Sequence, residues 1–237
     1  MPARFPSGLT TVHKWNPLGE FGLPDPTQWH VWFDDFDDFA AAQWIITTTE
    51  AGGGSATEAV NSADGGILLI TNDNADNDLD FLQWSGTDAS AAVETFKFVA
   101  GKKLFFKARI AINEPIQADA VIGLMLTDTT MLDVTDGVFF QTDDGDALLD
   151  FHVEKNNTSS DATGIATLVA DTYVTLSFYY NGVDKVEAYV NDAKVASLAV
   201  TNLPDDEELT ISFGIQQGEI TNVKTLSLDY IFVAKQR

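Results

Sequence analysis

The sequence predicts an all-β protein built as a two-sheet antiparallel sandwich, and three observations predict it. Apolar residues recur with a period of two in segment after segment, which sends alternate side chains to opposite faces of a strand. Clusters of Asn, Asp and Gly separate those segments, and these residues tolerate the positive φ of tight hairpin turns. No window of a dozen residues shows the i, i+3, i+4 spacing of a capped amphipathic helix. About a dozen strands at this spacing overload one flat sheet, so two sheets packed face to face are expected. No repeat of fixed period is present, which argues against a propeller or solenoid.

The chain opens with a segment of another kind. Five of the seven prolines (Pro2, Pro6, Pro17, Pro24, Pro26) fall within it, among Gly8, Gly19 and Gly22. Each proline fixes φ and removes a backbone donor, so residues 1–28 form neither a helix nor a central strand. They read as an extended arm studded with Phe5, Leu9, Trp15, Leu18, Phe21 and Leu23. A disordered tail is poor in such side chains, so the arm is expected to lie against something: a neighbouring polypeptide, or its own domain. Residues 29–237 are expected to form a single sandwich domain.

After the acidic Asp34–Asp38, Ala40–Ala42 suits one helical turn. Asp64-Gly65-Gly66 breaks the chain before the apolar run Ile67–Ile70. Between Lys103 and Ile112, Phe106, Ala108, Ile110 and Ile112 alternate with Lys103, Phe105, Lys107 and Arg109, so one face is buried and one wetted. Asp144-Gly145-Asp146 turns Val138–Thr142 into Leu148–Glu154. Val174, Leu176, Phe178 and Tyr180 share a face, and Asn181-Gly182 leads on to Val186, Ala188 and Val190. Asn191-Asp192 then turns the chain into Ala193. Leu209, Ile211, Phe213 and Ile215 follow, and Leu226, Leu228, Tyr230 and Phe232 complete the pattern as one face of the last strand.

Composition bounds the function. The chain has 237 residues and no Cys, so it holds no disulfide and no thiolate metal site or nucleophile. Its 13 Lys+Arg against 36 Asp+Glu give a formal charge of −23, which argues against a nucleic-acid or anionic-membrane partner. Apolar runs are too short to span a bilayer, and the first residues carry no signal-peptide core. Arg4 and Lys14 balance Glu20 and Asp25 within residues 1–28, so the sandwich carries the whole −23. That acidity suits a protein kept soluble in many copies outside a particle.

The stretches Tyr173–Gly182, Val186–Asp192 and Lys194–Ser197 resemble the central hairpins of concanavalin A-like jelly rolls of laminin-G and glucanase type. Leu226–Val233 resembles the last strand of that fold and Trp32–Asp37 its first. The resemblance implies a jelly roll, a fold that hosts lectins, hydrolases, lyases and structural modules alike. The opening, Phe5–Thr11 and Leu18–Phe36, is similar to the N-termini of virion structural proteins of tailed phages. That resemblance implies a capsid decoration protein: an arm docked on the major capsid protein, a solvent-facing body, a homotrimer, and location on the virion surface.

Catalytic signatures are sparse. Glucanases of this fold place paired carboxylates on one strand face, as Glu-x-Asp-x-x-Glu, and no such run occurs. Asp150, His152 and Glu154 share a face in Asp146–Glu154 and are the nearest approach to an acid–base cluster. The plainer reading makes them the wetted side of a strand that buries Leu149, Phe151 and Val153. Alginate-lyase members carry Arg-rich and Gln-x-His strands, and the expectation is that this chain has no Gln-x-His. Neither His30 nor His152 sits near a Gly-x-Ser-x-Gly elbow. The expectation is a protein that is not an enzyme.

Two binding sites are suggested. Asp73, Asp76, Asp78 and Asp80 lie in a loop-like acidic run, and Ca²⁺ takes six to eight oxygen ligands; the alternative is a solvated acidic loop. Trp84, Tyr179 and Tyr189 are the aromatics that a carbohydrate-binding module would expose. Lys97, Lys102, Lys103, Lys107 and Arg109 gather five cations, for an acidic neighbour or for pairing with nearby Asp. The leading expectation is capsid decoration through the arm, and the alternative is a lectin-like module that attaches to host-surface glycans.

Overall fold

The computed structural model describes residues 27–61, 65–86, 89 and 91–237. The arm positions Phe5, Leu9, Trp15, Leu18, Phe21 and Leu23 lie outside the described residues. The described chain is all-β, with strands β1 (Trp29–Asp34), β2 (Trp44–Thr49), β3 (Thr57–Asn61), β4 (Ile67–Thr71) and β5 (Leu79–Trp84). Then come β6 (Leu104–Ile112), β7 (Ala118–Met125), β8 (Gly137–Thr142), β9 (Leu148–Lys155) and β10 (Thr158–Thr167). The last are β11 (Val174–Tyr180), β12 (Lys185–Val190), β13 (Ala193–Ala199), β14 (Thr210–Gln217) and β15 (Thr225–Gln236). Helix is confined to single 3-10 turns such as Ala41–Gln43, next to the helical turn expected at Ala40–Ala42. No helix among the described residues is long and apolar enough to cross a membrane.

Two antiparallel sheets pack as a jelly-roll sandwich. One runs β13-β12-β11-β6-β15-β4-β3, with β1 also on β15; the other runs β10-β9-β8-β7-β14-β5-β2. Strand ends follow the turn chemistry. Asn191 and Asp192 both take positive φ (50° and 63°) between β12 and β13, the conformation that a two-residue hairpin matched to strand twist demands. Asn181 Oδ1 accepts from the backbone N–H of Val183, Asp184 and Lys185 and closes the β11–β12 turn.

The core lies between the sheets. Phe106 stacks on Phe178 at 4.9 Å, and Phe140 and Phe151 close on Phe178 from the opposite sheet at 6.3 and 6.0 Å. Each such buried ring contributes about 1.5–3 kcal/mol. A second aromatic group, Trp32, Trp44, Trp84 and Phe213, fills the flank beneath β1 and β2 in edge-to-face contacts of 4.9–6.2 Å. Such contacts are favoured by the ring quadrupoles.

Two expectations need correcting at this level. The alternation in β15 breaks phase at a bulge between Leu228 and Tyr230, so the inward set is Leu226, Leu228, Ile231 and Val233. An extra residue in one strand reverses every later side chain, and Tyr230 and Phe232 therefore point outward. The acidic run Asp73–Asp80 is likewise no continuous loop, because its end enters β5.

Candidate functional site

The sandwich has two outer faces, and they differ sharply. On the seven-stranded sheet, Leu79, Phe81, Val121, Met125 and Phe139 point away from the main core, and Met131 and Val134 join them in a second buried cluster. The β7–β8 connection thus lies down over the sheet and closes the middle of that face. Gly214 makes room for it: a Cβ there would sit 2.7 Å from Met131 Sδ and 2.7 Å from the Asp80 carbonyl oxygen. Polar anchors hold the connection in place. Glu94 Oε1 accepts from Thr127 N–H and Oγ1–H at 3.1 and 2.6 Å. Gln83 Oε1 accepts from Asp128 N–H at 2.9 Å, and Asp136 Oδ1 from Asn156 N–H at 3.1 Å.

Beside this closed centre, β9 and β10 form an acidic flank. His152 Nδ1 lies 2.8 Å from Asp161 Oδ1, and Ser159 Oγ donates to Asp161 Oδ2 at 2.8 Å. The imidazole stacks on Phe139 with centroids 5.1 Å apart, and its Nε2 is buried without a partner. Burial pushes the Glu154 carboxyl up, and His152 opposes the shift. Asp150 Oδ1 accepts from Gly164 N–H at 2.7 Å in the bulge of β10. Asp143, Asp144, Asp146 and Asp150 rim a depression of 330 Å³. An aspartate that orients an imidazole is a proton-transfer arrangement, yet here the second ring nitrogen is covered rather than open to a ligand.

The outer face of the eight-stranded sheet carries an aromatic row. Phe33 on β1 is the register partner of Phe232 on β15, with ring centroids 6.5 Å apart. Phe232 in turn lies 6.1 Å from Phe105 on β6. Phe105 pairs across to Tyr179 on β11, and Tyr189 follows on β12 opposite Ser177. Phe105, Ser177, Tyr179, Tyr189 and Asp192 enclose a shallow depression of 280 Å³. Phe33 is 57 % exposed and the other four rings are half-buried. Tyr189 Oη donates to Glu187 Oε2 at 2.8 Å, and burial, with that carboxylate second, pushes the phenol up to about 12. Two cations flanking the row are engaged: Lys107 pairs with Asp192 at 2.7 Å, while Arg109 pairs with Asp229 and lies 4.3 Å above the Tyr173 ring.

The structure therefore sorts the residues nominated from sequence. Tyr179 and Tyr189 share one depression, whereas Trp84 is half-buried, packed edge-on against Trp32 and Trp44 at the core and away from that depression. Its position on β5 puts it on the interior side, which composition alone does not reveal. The four aspartates nominated for calcium do not converge: Asp78 and Asp80 are buried, Asp76 is exposed, and Asp73 is turned toward Gly54. Among the described residues no three His, Asp or Glu side chains are placed to hold a metal ion together. Burial and the neighbouring Glu58 carboxyl push Asp80 up to about 8. Of the cation group, Lys97 pairs with Glu208 at 3.1 Å, so Lys97, Lys107 and Arg109 all follow the pairing alternative. The expectation of no Gln-x-His is corrected: Gln28-Trp29-His30 is one, at the start of β1, which begins three residues before Trp32. His30 Nε2 lies 3.3 Å from Thr95 Oγ1 and its ring packs on Phe96 at 5.0 Å, on an edge strand. The site residues that sequence reasoning did not nominate are Phe33, Phe105 and Phe232; alternation already placed Phe105 on the wetted face, whereas Phe232 turns outward only through the β15 bulge.

Comparison with known proteins places the fold. No protein-family model matches this sequence, and no curated protein matches it. Solved structures do. A protein of unknown function from Shewanella oneidensis MR-1 superposes with a TM-score of 0.60 at 15 % identity, covering 96 % of this chain and 97 % of that one. A family 16 endo-glucanase from Bacteroides ovatus gives 0.58 at 13 % identity, over 84 % of this chain and 98 % of that one. An endo-β-1,4-glucuronan lyase from Trichoderma reesei gives 0.50 at 12 % identity, over 78 % and 89 %. The fold is the concanavalin A-like jelly roll, as the sequence resemblance implied. The expectation that the chain is not an enzyme is overturned as an inference, because the solved structures it resembles include a lyase and a glycoside hydrolase. The missing Glu-x-Asp-x-x-Glu run therefore excludes one catalytic pattern and not catalysis. The virion half of the sequence reading receives no support from these likenesses.

Proposed function

We propose that this protein is a carbohydrate-binding jelly roll whose glycan-contacting surface is the aromatic row on the eight-stranded sheet. The observation that carries the reading is the alignment of Phe33, Phe232, Phe105, Tyr179 and Tyr189 across five adjacent strands. An exposed apolar row rimmed by polar groups marks an interaction surface. Aromatic rings with polar tips suit a sugar, which presents an apolar C–H face and a rim of hydroxyls. Lys107 and Arg109 are already paired with aspartates, which favours a neutral polysaccharide over a polyuronate. The likeness to glycan-active structures supports the same reading.

Affinity electrophoresis of the full chain through gels containing a neutral β-glucan or a polyuronate tests it. Tyr179→Ala and Tyr189→Ala are each expected to weaken binding to the neutral polymer about 5–30-fold, the equivalent of ~1–2 kcal/mol for a well-packed contact. Native-like retention of the double variant overturns the assignment of this face. Analysis of polymer length in the same samples reads out cleavage.

A second reading is favoured by the charge partition: residues 1–28 are neutral and rich in Phe, Leu and Trp, while the remaining chain carries −23. We propose that this segment docks the protein on a virion capsid, with the glycan-binding face turned outward. Deletion of residues 1–28 is expected to abolish association with purified particles while the far-UV circular dichroism stays β-type. Retained association of the truncated chain overturns this reading and leaves the glycan reading intact.

A further inference from the structure

Between the sheets, near the β2–β3 connection, four side-chain oxygens are buried and accept no hydrogen bond: Asn72 Oδ1, Asp78 Oδ2, Asp80 Oδ2 and Gln217 Oε1. Each of these residues is at most 1 % exposed. They are tied to one another by short bonds. The Asp78 carbonyl accepts from Asn72 Nδ2 at 2.9 Å and from Gln217 N–H at 2.8 Å. Asn72 Nδ2 also donates to the Ile215 carbonyl at 2.8 Å, and Ile215 is the register partner of Asp80. In each carboxyl one oxygen is held by a donor; the other oxygen of Asp78 is left over, and Asp80 also faces the Glu58 carboxyl. Asp78 Oδ1 accepts from Ala51 N–H at 2.5 Å, and Asp80 Oδ1 from Thr48 Oγ1–H at 3.0 Å.

Unpaired buried acceptors are costly, and carboxylate oxygens more so than amide oxygens. What compensates acceptors gathered round the Asp78 and Asp80 carboxyls, with the Glu58 carboxyl beside Asp80, is positive charge. The donor set holds no nitrogen or sulfur, which suits a hard cation. We propose that Asn72, Asp78, Asp80 and Gln217 form the protein side of a Ca²⁺ site set into the end of the sandwich. Ca²⁺ tolerates irregular shells of six to eight oxygens completed by water, whereas Mg²⁺ demands a near-ideal octahedron. The connection that follows β2 lies against the site through the Ala51 N–H, and residues 51–55 are exposed, so an ion reaches it from that end. Two carboxylates of the acidic run belong to this site and Asp73 and Asp76 do not; the other two ligands come from the end of β14 and the residue after β4.

Full-length protein stripped with chelator is titrated with CaCl₂ and, separately, MgCl₂, followed by calorimetry and thermal unfolding. The expected result is one Ca²⁺ per chain and a rise in Tm of about 5–10 °C at a hundredfold excess over Kd, with a smaller response to Mg²⁺. Asp80→Asn and Asp78→Asn keep the side-chain shape and are expected to weaken Ca²⁺ binding at least tenfold. Asp76→Asn, at an exposed position in the same run, is expected to bind as the native chain does. Should one of the two buried variants fail to fold, the other carries the comparison. No Tm shift in the native chain, or an undiminished shift in either folded buried variant, overturns the proposal. Either result leaves the glycan-binding reading untouched, since that rests on the opposite surface of the eight-stranded sheet.

Discussion

Asp119 illustrates how one side chain sets a pH response. Burial is the main force raising its carboxyl to about 6, opposed by the Asp144 N–H bond and aided by the Asp144 and Asp143 charges. The folded chain thus holds this proton more tightly than the unfolded chain, whose carboxyl titrates near 3.8. The stabilisation is complete below that lower value and is lost as the pH climbs through 6. Asp119→Asn keeps the acceptor for Asp144 N–H and removes the buried charge. It is expected to be more stable than the native chain at pH 8 by on the order of 1–3 kcal/mol, with the gap closing near pH 4. Urea unfolding at the two pH values checks both sign and window. Sequence gave no hint of this behaviour: Asp119 reads as one acid among many, and its burial arises because its face of the sheet is covered.

At the scale of elements, legibility followed the regularity of the period. β6, β11, β12 and β14 alternate in sequence, and all were readable with their inward residues, although β14 is buried on both faces. β10, an exposed edge strand of mostly Ser, Thr, Asp and Ala, has no apolar alternation to read. β7 is buried on both sides, so its run of Ala, Val, Ile, Leu and Met is continuous rather than alternating. That double burial comes from the β7–β8 connection, a tertiary event that no local pattern encodes. Gly214 is the position that permits it. Gly214→Ala is expected to lift Met131 from the sheet, cost about 1–3 kcal/mol by overpacking, and increase binding of a hydrophobic dye. Unchanged dye binding and stability would show that the connection yields without leaving the surface. The candidate sugar face was half legible for the same kind of reason. Tyr179 and Tyr189 follow from alternation, but Phe232 joins them only because the bulge in β15 reverses the phase.

For the whole molecule the governing quantity is a charge of −23 on one 25.8 kDa chain. Like charges at this density repel, and the compact state concentrates them, so screening stabilises the fold. Tm is expected to rise between about 10 mM and about 200 mM NaCl, as the Debye length shrinks from ~30 Å to below 10 Å. A flat profile would mean that local pairs such as Lys155 with Asp205 and Asp206 already neutralise the repulsion. The strand order adds a consequence for assembly. β15 lies inside its sheet, bonded to β6 along one edge and to β4 and then β1 along the other. Without it, β1 and the β3–β4 hairpin have no strand to join to the β6–β11–β12–β13 group. Half of that layer therefore hangs on a single keystone segment, and damage there would unseat pieces far apart along the polypeptide.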